Sequence, residues 1–214
     1  MNTYFPYNHF FSDNHSILVN TNFKPSDKYL LLDRDGVIIE DIHHIVDPSD
    51  VVLTPNSSEL IDSAIVNGYN VAILTNQSVV ARGLSSIDSY INVTKKMFEL
   101  LSIPHLPHLV LASFWHPSFS SVSSKSNWRK PNIGMFDYLV DNYGMDSSLS
   151  LMIGDKLTDL QPAASHNISN LIHIDTPSHP DEKQKVKDWA RTSGKRVLFV
   201  DSLPSTVSSL LNSY

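Results

Sequence analysis

The chain contains no cysteine. That excludes disulfides and every thiolate metal site, and it accords with a reducing compartment. It also lacks any apolar run approaching the length of a membrane span. The first cation is Lys24, so the start has no basic region and a secretory signal is not expected. A cytoplasmic protein with no membrane partner is the expectation. Cations are outnumbered, 16 Lys and Arg against 22 Asp and Glu, for a net charge of −6. This balance argues against nonspecific nucleic-acid binding but leaves room for a local basic pocket. Internal repeats are absent as well.

What is present fits one globular domain with decorations, since 214 residues can bury a sizeable core. Apolar runs alternate with helical patterns. Strands are expected at 28–33, 70–75, 108–114, 149–154, 170–174 and 195–200. Helices are expected at 57–69, 85–101, 133–144 and 204–213, with a short one from about Lys156. Strand, helix, strand, helix implies a parallel sheet covered on both faces. Ligands of such sheets bind beyond the carboxyl ends of the strands, so the residues after each strand carry the information.

After the first strand comes "DRDGVI". Asp33 and Asp35 are two apart and would point the same way on an extended chain, with Arg34 pointing elsewhere. Two carboxylates there suit a hard cation, or a nucleophile beside a proton donor. After the second comes "TNQS", whose Thr75 and Asn76 with free N–H groups can hold a phosphoryl oxygen. After the third, beyond a serine-rich loop, comes "RKP". Lys130 is a point charge for phosphate and Arg129 a fork for a second phosphate or a sugar. After the fourth comes "GDKLTD". Asp155 and Asp159 are four apart, hence expected on one helix face, and Asp155 can complete a Mg2+ site with Asp33. Each cluster alone is equally an ordinary turn, cap or solvated pair. Together they supply carboxylates for a cation and cations for a phosphate, the parts of Mg2+-assisted phosphoryl transfer.

"LLLDRDGVI", "ILTNQS", "RKP" and "MIGDKLTD", in that order, resemble the four motifs of the haloacid dehalogenase (HAD) superfamily of aspartyl phosphatases. The resemblance covers about residues 28–214, with 1–27 as an aromatic-rich extension. Within the superfamily the motifs are most similar to the heptose-1,7-bisphosphate 7-phosphatases, with the histidinol-phosphate phosphatases close by. The resemblance implies an α/β, Rossmann-like HAD fold. It implies Asp33 as nucleophile and Asp35 as general acid and base. Mg2+ would be held by Asp33, Asp35 through its carbonyl, and Asp155. Thr75, Asn76 and Lys130 would hold the phosphoryl group, Arg129 and Asp41 the substrate, and Lys156 would lie near metal and phosphate. Asp159 would orient its neighbours. The substrate would be a small phosphorylated sugar, acted on by a monomer or small homo-oligomer. A non-catalytic HAD-fold binding module and a receiver domain are the readings from other classes.

About forty residues separate Asp35 from Thr75 and about fifty separate Ser78 from Lys130, intervals that secondary structure already fills. A capless domain is therefore expected. The loop 114–131 departs from the resemblance. Heptose phosphatases of this group carry zinc ligands where Ser113, Trp115, Ser126 and Trp128 stand here, so no zinc is expected in it. His116 alone makes no zinc site. Val79 and Ile133 replace a glycine and a proline common in the group, which bears on the choice of sugar. The aromatic N-terminal segment, with Tyr4, Phe5, Tyr7, Phe10, Phe11 and Phe23, is expected to pack on the domain surface, or else to form a lid or subunit contact. His43 and His44, adjacent on a loop, are expected to be solvated.

Overall fold

The computed structural model describes residues 5–12, 14–119 and 127–212. An eight-stranded sheet runs in the order β1-β2-β5-β4-β3-β6-β7-β8. Its parallel part is β3 (Tyr29–Leu32), β4 (Asn70–Asn76), β5 (Leu109–Ser113), β6 (Leu151–Gly154), β7 (Asn170–Ile174) and β8 (Leu198–Val200). Alternate side chains of each strand feed opposite faces. Leu30, Leu32, Val71, Ile73 and Val110 pack with α1 (Ser57–Val66), α2 (Ile87–Leu101) and α6 (Val207–Leu211). Tyr29, Leu31, Ala72, Leu74, Leu109 and Leu111 pack with α3 (Gly134–Tyr143), α4 (Leu157–Ser165) and α5 (Glu182–Ser193). The central strands are buried up to Asn76 at the end of β4, as near-continuous apolar runs require.

Local chemistry explains the ends of the elements. Ser86 accepts a hydrogen bond from the Ser89 N–H and caps α2. Gly144 takes a left-handed φ of 66° to end α3. The segments between β3 and β4 and between β4 and β5 contain α1 and α2, respectively, and no inserted domain. The domain is accordingly capless among its described residues.

Two features depart from the expected parallel sheet. The N-terminal segment contributes β1 (Tyr7–Phe11) and β2 (His15–Asn20), an antiparallel hairpin whose second strand pairs antiparallel with β5. The described part of the segment 1–27 therefore continues the sheet rather than lying over it. Its aromatics divide. Tyr7 is buried, stacks on Phe98 at 4.9 Å and donates to the Pro107 carbonyl at 2.5 Å. Phe10 and Phe11 are exposed, and Tyr4 lies outside the described residues. The second departure is α5, a helix not expected from the sequence, which is polar overall and in which only Val186 is buried.

Candidate active site

β4, β3 and β6 are neighbours at the centre of the sheet, so the residues after them meet at one edge. Asp33 follows β3 and is bonded through its N–H to the Ile153 carbonyl of β6. Asp155 follows β6. A carboxylate oxygen from each of Asp33, Asp155 and Asp159 lies within 4.8 Å of the others, and all three residues are buried. Lys130 arrives from the segment before α3 and is 1% exposed. Its ammonium contacts Asp159 Oδ1 at 2.6 Å and Asp33 Oδ1 at 2.9 Å, and donates to the Leu74 carbonyl at 2.6 Å. All three of its protons are thus engaged.

The electrostatics follow from this packing. Burial pushes the Asp33 carboxyl up to about 6 against the pull of Lys130. Burial, together with Asp159 and Asp33, pushes Asp155 up to about 8. Burial disfavours the Lys130 cation, but Asp159 and Asp33 outweigh it and raise its pKa. Asp155 Oδ1 is buried with no hydrogen-bond partner. An orphaned carboxylate oxygen among three crowded carboxylates fits a hard divalent cation.

Two glycines allow the approach. Gly36 has φ of +86°, and a Cβ there would stand 2.5 Å from Asp155 Oδ2. A Cβ on Gly154 would stand 2.4 Å from the Asp159 Cβ. Asp155 itself precedes α4, whose N-cap is Lys156, so the expected common helix face does not bring Asp155 and Asp159 together. The turn at Lys156 does so, its N–H donating to Asp159 Oδ2 at 3.0 Å.

Asp35 is gripped by two residues that the sequence reading did not assign to the site. Arg34, expected to point away, folds back and donates to Asp35 Oδ1 at 2.9 Å and Oδ2 at 3.1 Å. Alternation fails there because β3 ends at Leu32. Gln77 donates to Asp35 Oδ2 and to Thr75 Oγ1, both at 2.7 Å, and accepts from Arg34 at 3.0 Å. Its place inside "TNQS" was the available signal. The Asn76 side chain clasps the Lys130 backbone, donating to its carbonyl and accepting from its N–H, each at 3.0 Å. Asn76 thereby positions Lys130.

A cleft of about 360 Å³ opens over these groups, lined also by Asp41, His43, His44, Arg129, Lys156 and His179. Lys156 pairs with Asp41 at 3.2 Å and Asp155 at 3.3 Å. Burial works against its charge, but Asp155, Asp33 and Asp41 raise its pKa. Burial also pushes Asp41 up, yet hydrogen bonds from His179 and His43 and the Lys156 cation hold it at about 2. His179 was not anticipated, because only the chain's return after β7 brings it here. Arg129 is half-buried with Nη1 unpartnered, and burial and the nearby Arg82 lower its pKa. Of the loop positions where zinc ligands would stand, Ser113 is buried in β5 and Trp128 stacks on His15 at 4.2 Å. Residues 120–126, including Ser126, lie outside the described residues.

A family model described as polynucleotide kinase 3 phosphatase matches residues 29–192. The chain belongs to this family. It is a HAD-type phosphatase, a phosphoric monoester hydrolase. A D-glycero-beta-D-manno-heptose-1,7-bisphosphate 7-phosphatase of Mesorhizobium japonicum is 34% identical over 65% of this chain and 65% of its own length. The alpha-anomer enzyme of Burkholderia mallei is 29% identical over 68% of this chain and 78% of its own. A D,D-heptose 1,7-bisphosphate phosphatase from B. bronchiseptica, solved with magnesium and phosphate, superposes with a TM-score of 0.73. It is 25% identical, over 87% of this chain and 99% of that one. Among the family member's described residues, no helix is long and apolar enough to cross a membrane.

Proposed function

We propose that the chain hydrolyses a small phosphorylated sugar, with heptose 1,7-bisphosphate as substrate and the 7-phosphate as the group removed. The observation that carries this reading is the Lys130 ammonium held between Asp33 and Asp159 beside the orphaned oxygen of Asp155. A phosphate dianion repels a carboxylate nucleophile, and Lys130 offsets that repulsion at the point of attack. Asp33 attacks phosphorus, the bond from phosphorus to the sugar oxygen breaks, and Asp35 gives that oxygen its proton. Asp35 then takes a proton from the water that cleaves the aspartyl-phosphate, restoring Asp33 and releasing inorganic phosphate. Asp33, Asp155 and the Asp35 carbonyl would hold Mg2+, which supplies charge neutralisation when bound. Thr75 and Lys130 bind the transferring group.

The far end of the substrate discriminates between the candidates. Arg129 Nη1 and Arg82 Nε are both buried without partners, and the two side chains repel each other. Arg129 lines the cleft, and a second phosphate there gives its guanidinium a partner and offsets the repulsion. Histidinol phosphate, with an amine at its other end, does not. The relatives include both anomeric types, so sequence identity leaves the anomer open. We take the setting to be cytoplasmic, with no nucleic-acid partner and a monomer or small homo-oligomer. The 114–131 loop is taken to be zinc-free.

The test is phosphate release with Mg2+ from both heptose 1,7-bisphosphate anomers, hexose bisphosphates and histidinol phosphate. Asp33→Asn is the control. Release from a heptose bisphosphate that the variant loses is the expected result. No release from any substrate, or equal release by the variant, would sink the proposal.

A further inference from the structure

The cleft carries a second set of metal-ligand side chains, apart from the three buried carboxylates. Asp41, His43 and His179 offer ligand atoms that lie within 4.8 Å of one another. His179 Nε2 stands 2.7 Å from Asp41 Oδ2, and His43 Nδ1 stands 3.8 Å from Asp41 Oδ1. The two imidazoles are tilted by 53° to one another with centroids 5.8 Å apart. Asp41 and His43 come from the long segment after β3, and His179 from the segment between β7 and α5. We propose that these three residues bind a borderline divalent transition-metal ion, of the Zn2+ and Co2+ class, at the mouth of the cleft. The site is separate from the 114–131 loop.

The donor set decides the class of ion. Two imidazole nitrogens and one carboxylate suit Zn2+ or Co2+, whereas Mg2+ prefers an all-oxygen shell. Three protein ligands leave a fourth position open to water or a substrate oxygen. Around a tetrahedral ion with bonds of about 2.0–2.1 Å, ligand atoms stand roughly 3.3–3.5 Å apart. The three ligand atoms, within 4.8 Å of one another, therefore need to converge by no more than about 1.5 Å to share one ion. The His43 side chain is 72% exposed, so little packing resists the adjustment. Lys156 shares Asp41 but also pairs with Asp155 at 3.3 Å, so it keeps a partner when Asp41 turns to the ion. An ion in this place takes Asp41 away from substrate and narrows the entrance.

The experiment is a Co2+ titration of the full chain, with Mg2+ in excess to fill the carboxylate cluster. One Co2+ per chain should bind and give the visible d–d absorption of a four- or five-coordinate ion. Asp33→Asn should leave that absorption in place. His43→Ala and His179→Gln should each weaken the affinity by roughly tenfold or more. His179→Gln retains an N–H donor for Asp41. If its circular dichroism nevertheless departs from wild type, His43→Ala at the exposed position decides the matter. Absence of the absorption would overturn the proposal. So would its survival in the decisive histidine variants, or its loss with Asp33→Asn. Because the readout is absorption, failure here leaves the phosphatase reading untouched, and the converse holds.

Discussion

The Gln77 side chain makes three hydrogen bonds in the cleft, accepting from Arg34 and donating to Asp35 and Thr75. Gln77→Leu keeps the approximate shape and removes all three. Under the proposed mechanism Asp35 then loses its orientation as proton donor, and turnover of an alkyl phosphate should fall about 100-fold. Turnover of 4-nitrophenyl phosphate should fall much less, since its leaving group needs no proton. An equal loss on both would show that Gln77 does not act through Asp35. Asp33, Asp35, Lys130 and Asp155 were legible as candidates because each follows a strand. Arg34 was misjudged, since side-chain alternation holds only while the chain is extended, and β3 has ended one residue before Asp33.

The entry into β5 ties the sheet to a titrating group. His108 donates its N–H to the Val71 carbonyl at 2.8 Å, and its Nδ1 accepts from the Val71 N–H at 3.0 Å. Burial lowers its pKa from 6.5 to about 4. The unfolded chain therefore takes up this proton first. The stability from the neutral ring is present above pH 6.5 and is lost as pH falls from 6.5 towards 4. His108→Asn keeps an acceptor near the Nδ1 position and removes the titration. Urea midpoints measured across this window should fall more steeply for wild type than for the variant. Parallel slopes would contradict the assignment. At the same scale the central strands were readable from their apolar runs, while β1, β2 and α5 were not. β1 mixes polar and apolar residues because it lies at the sheet edge, where burial is partial, and β2, paired on both sides, is too short a run between polar residues to stand out. α5 is polar overall and buries one residue, so it offers no apolar run to mark it.

Across the molecule, folding gathers three carboxylates whose burial, aided by their mutual repulsion, disfavours their charged forms despite two lysines. A divalent cation that binds only this arrangement raises stability by mass action, about 2.7 kcal/mol at 100 times its Kd. Thermal melts should therefore rise with Mg2+ and fall back with EDTA. Asp155→Asn removes a metal ligand whose carboxyl burial pushes up to about 8, so that it is protonated at neutral pH without metal; the metal-free variant should melt close to wild type and show no response to Mg2+. A variant that melts lower, or still responds, would place the cation elsewhere.

The resemblance of the motifs to the HAD superfamily implied a phosphatase, and the apolar runs and the polar residues after them determined, without a structure, a parallel α/β fold with carboxylates and cations at one sheet edge. Period and spacing suffice for that, because strand burial and strand-end chemistry are local properties. Tertiary structure alone decided the rest. It placed the N-terminal hairpin in the sheet, turned Arg34 back onto Asp35, and left one Asp155 oxygen without a partner. It also carried His179 across the fold to Asp41 beside His43, while His43 and His44 stay exposed as expected. Contacts between residues more than a hundred positions apart depend on which strands are neighbours, and strand order is a property of the packed sheet.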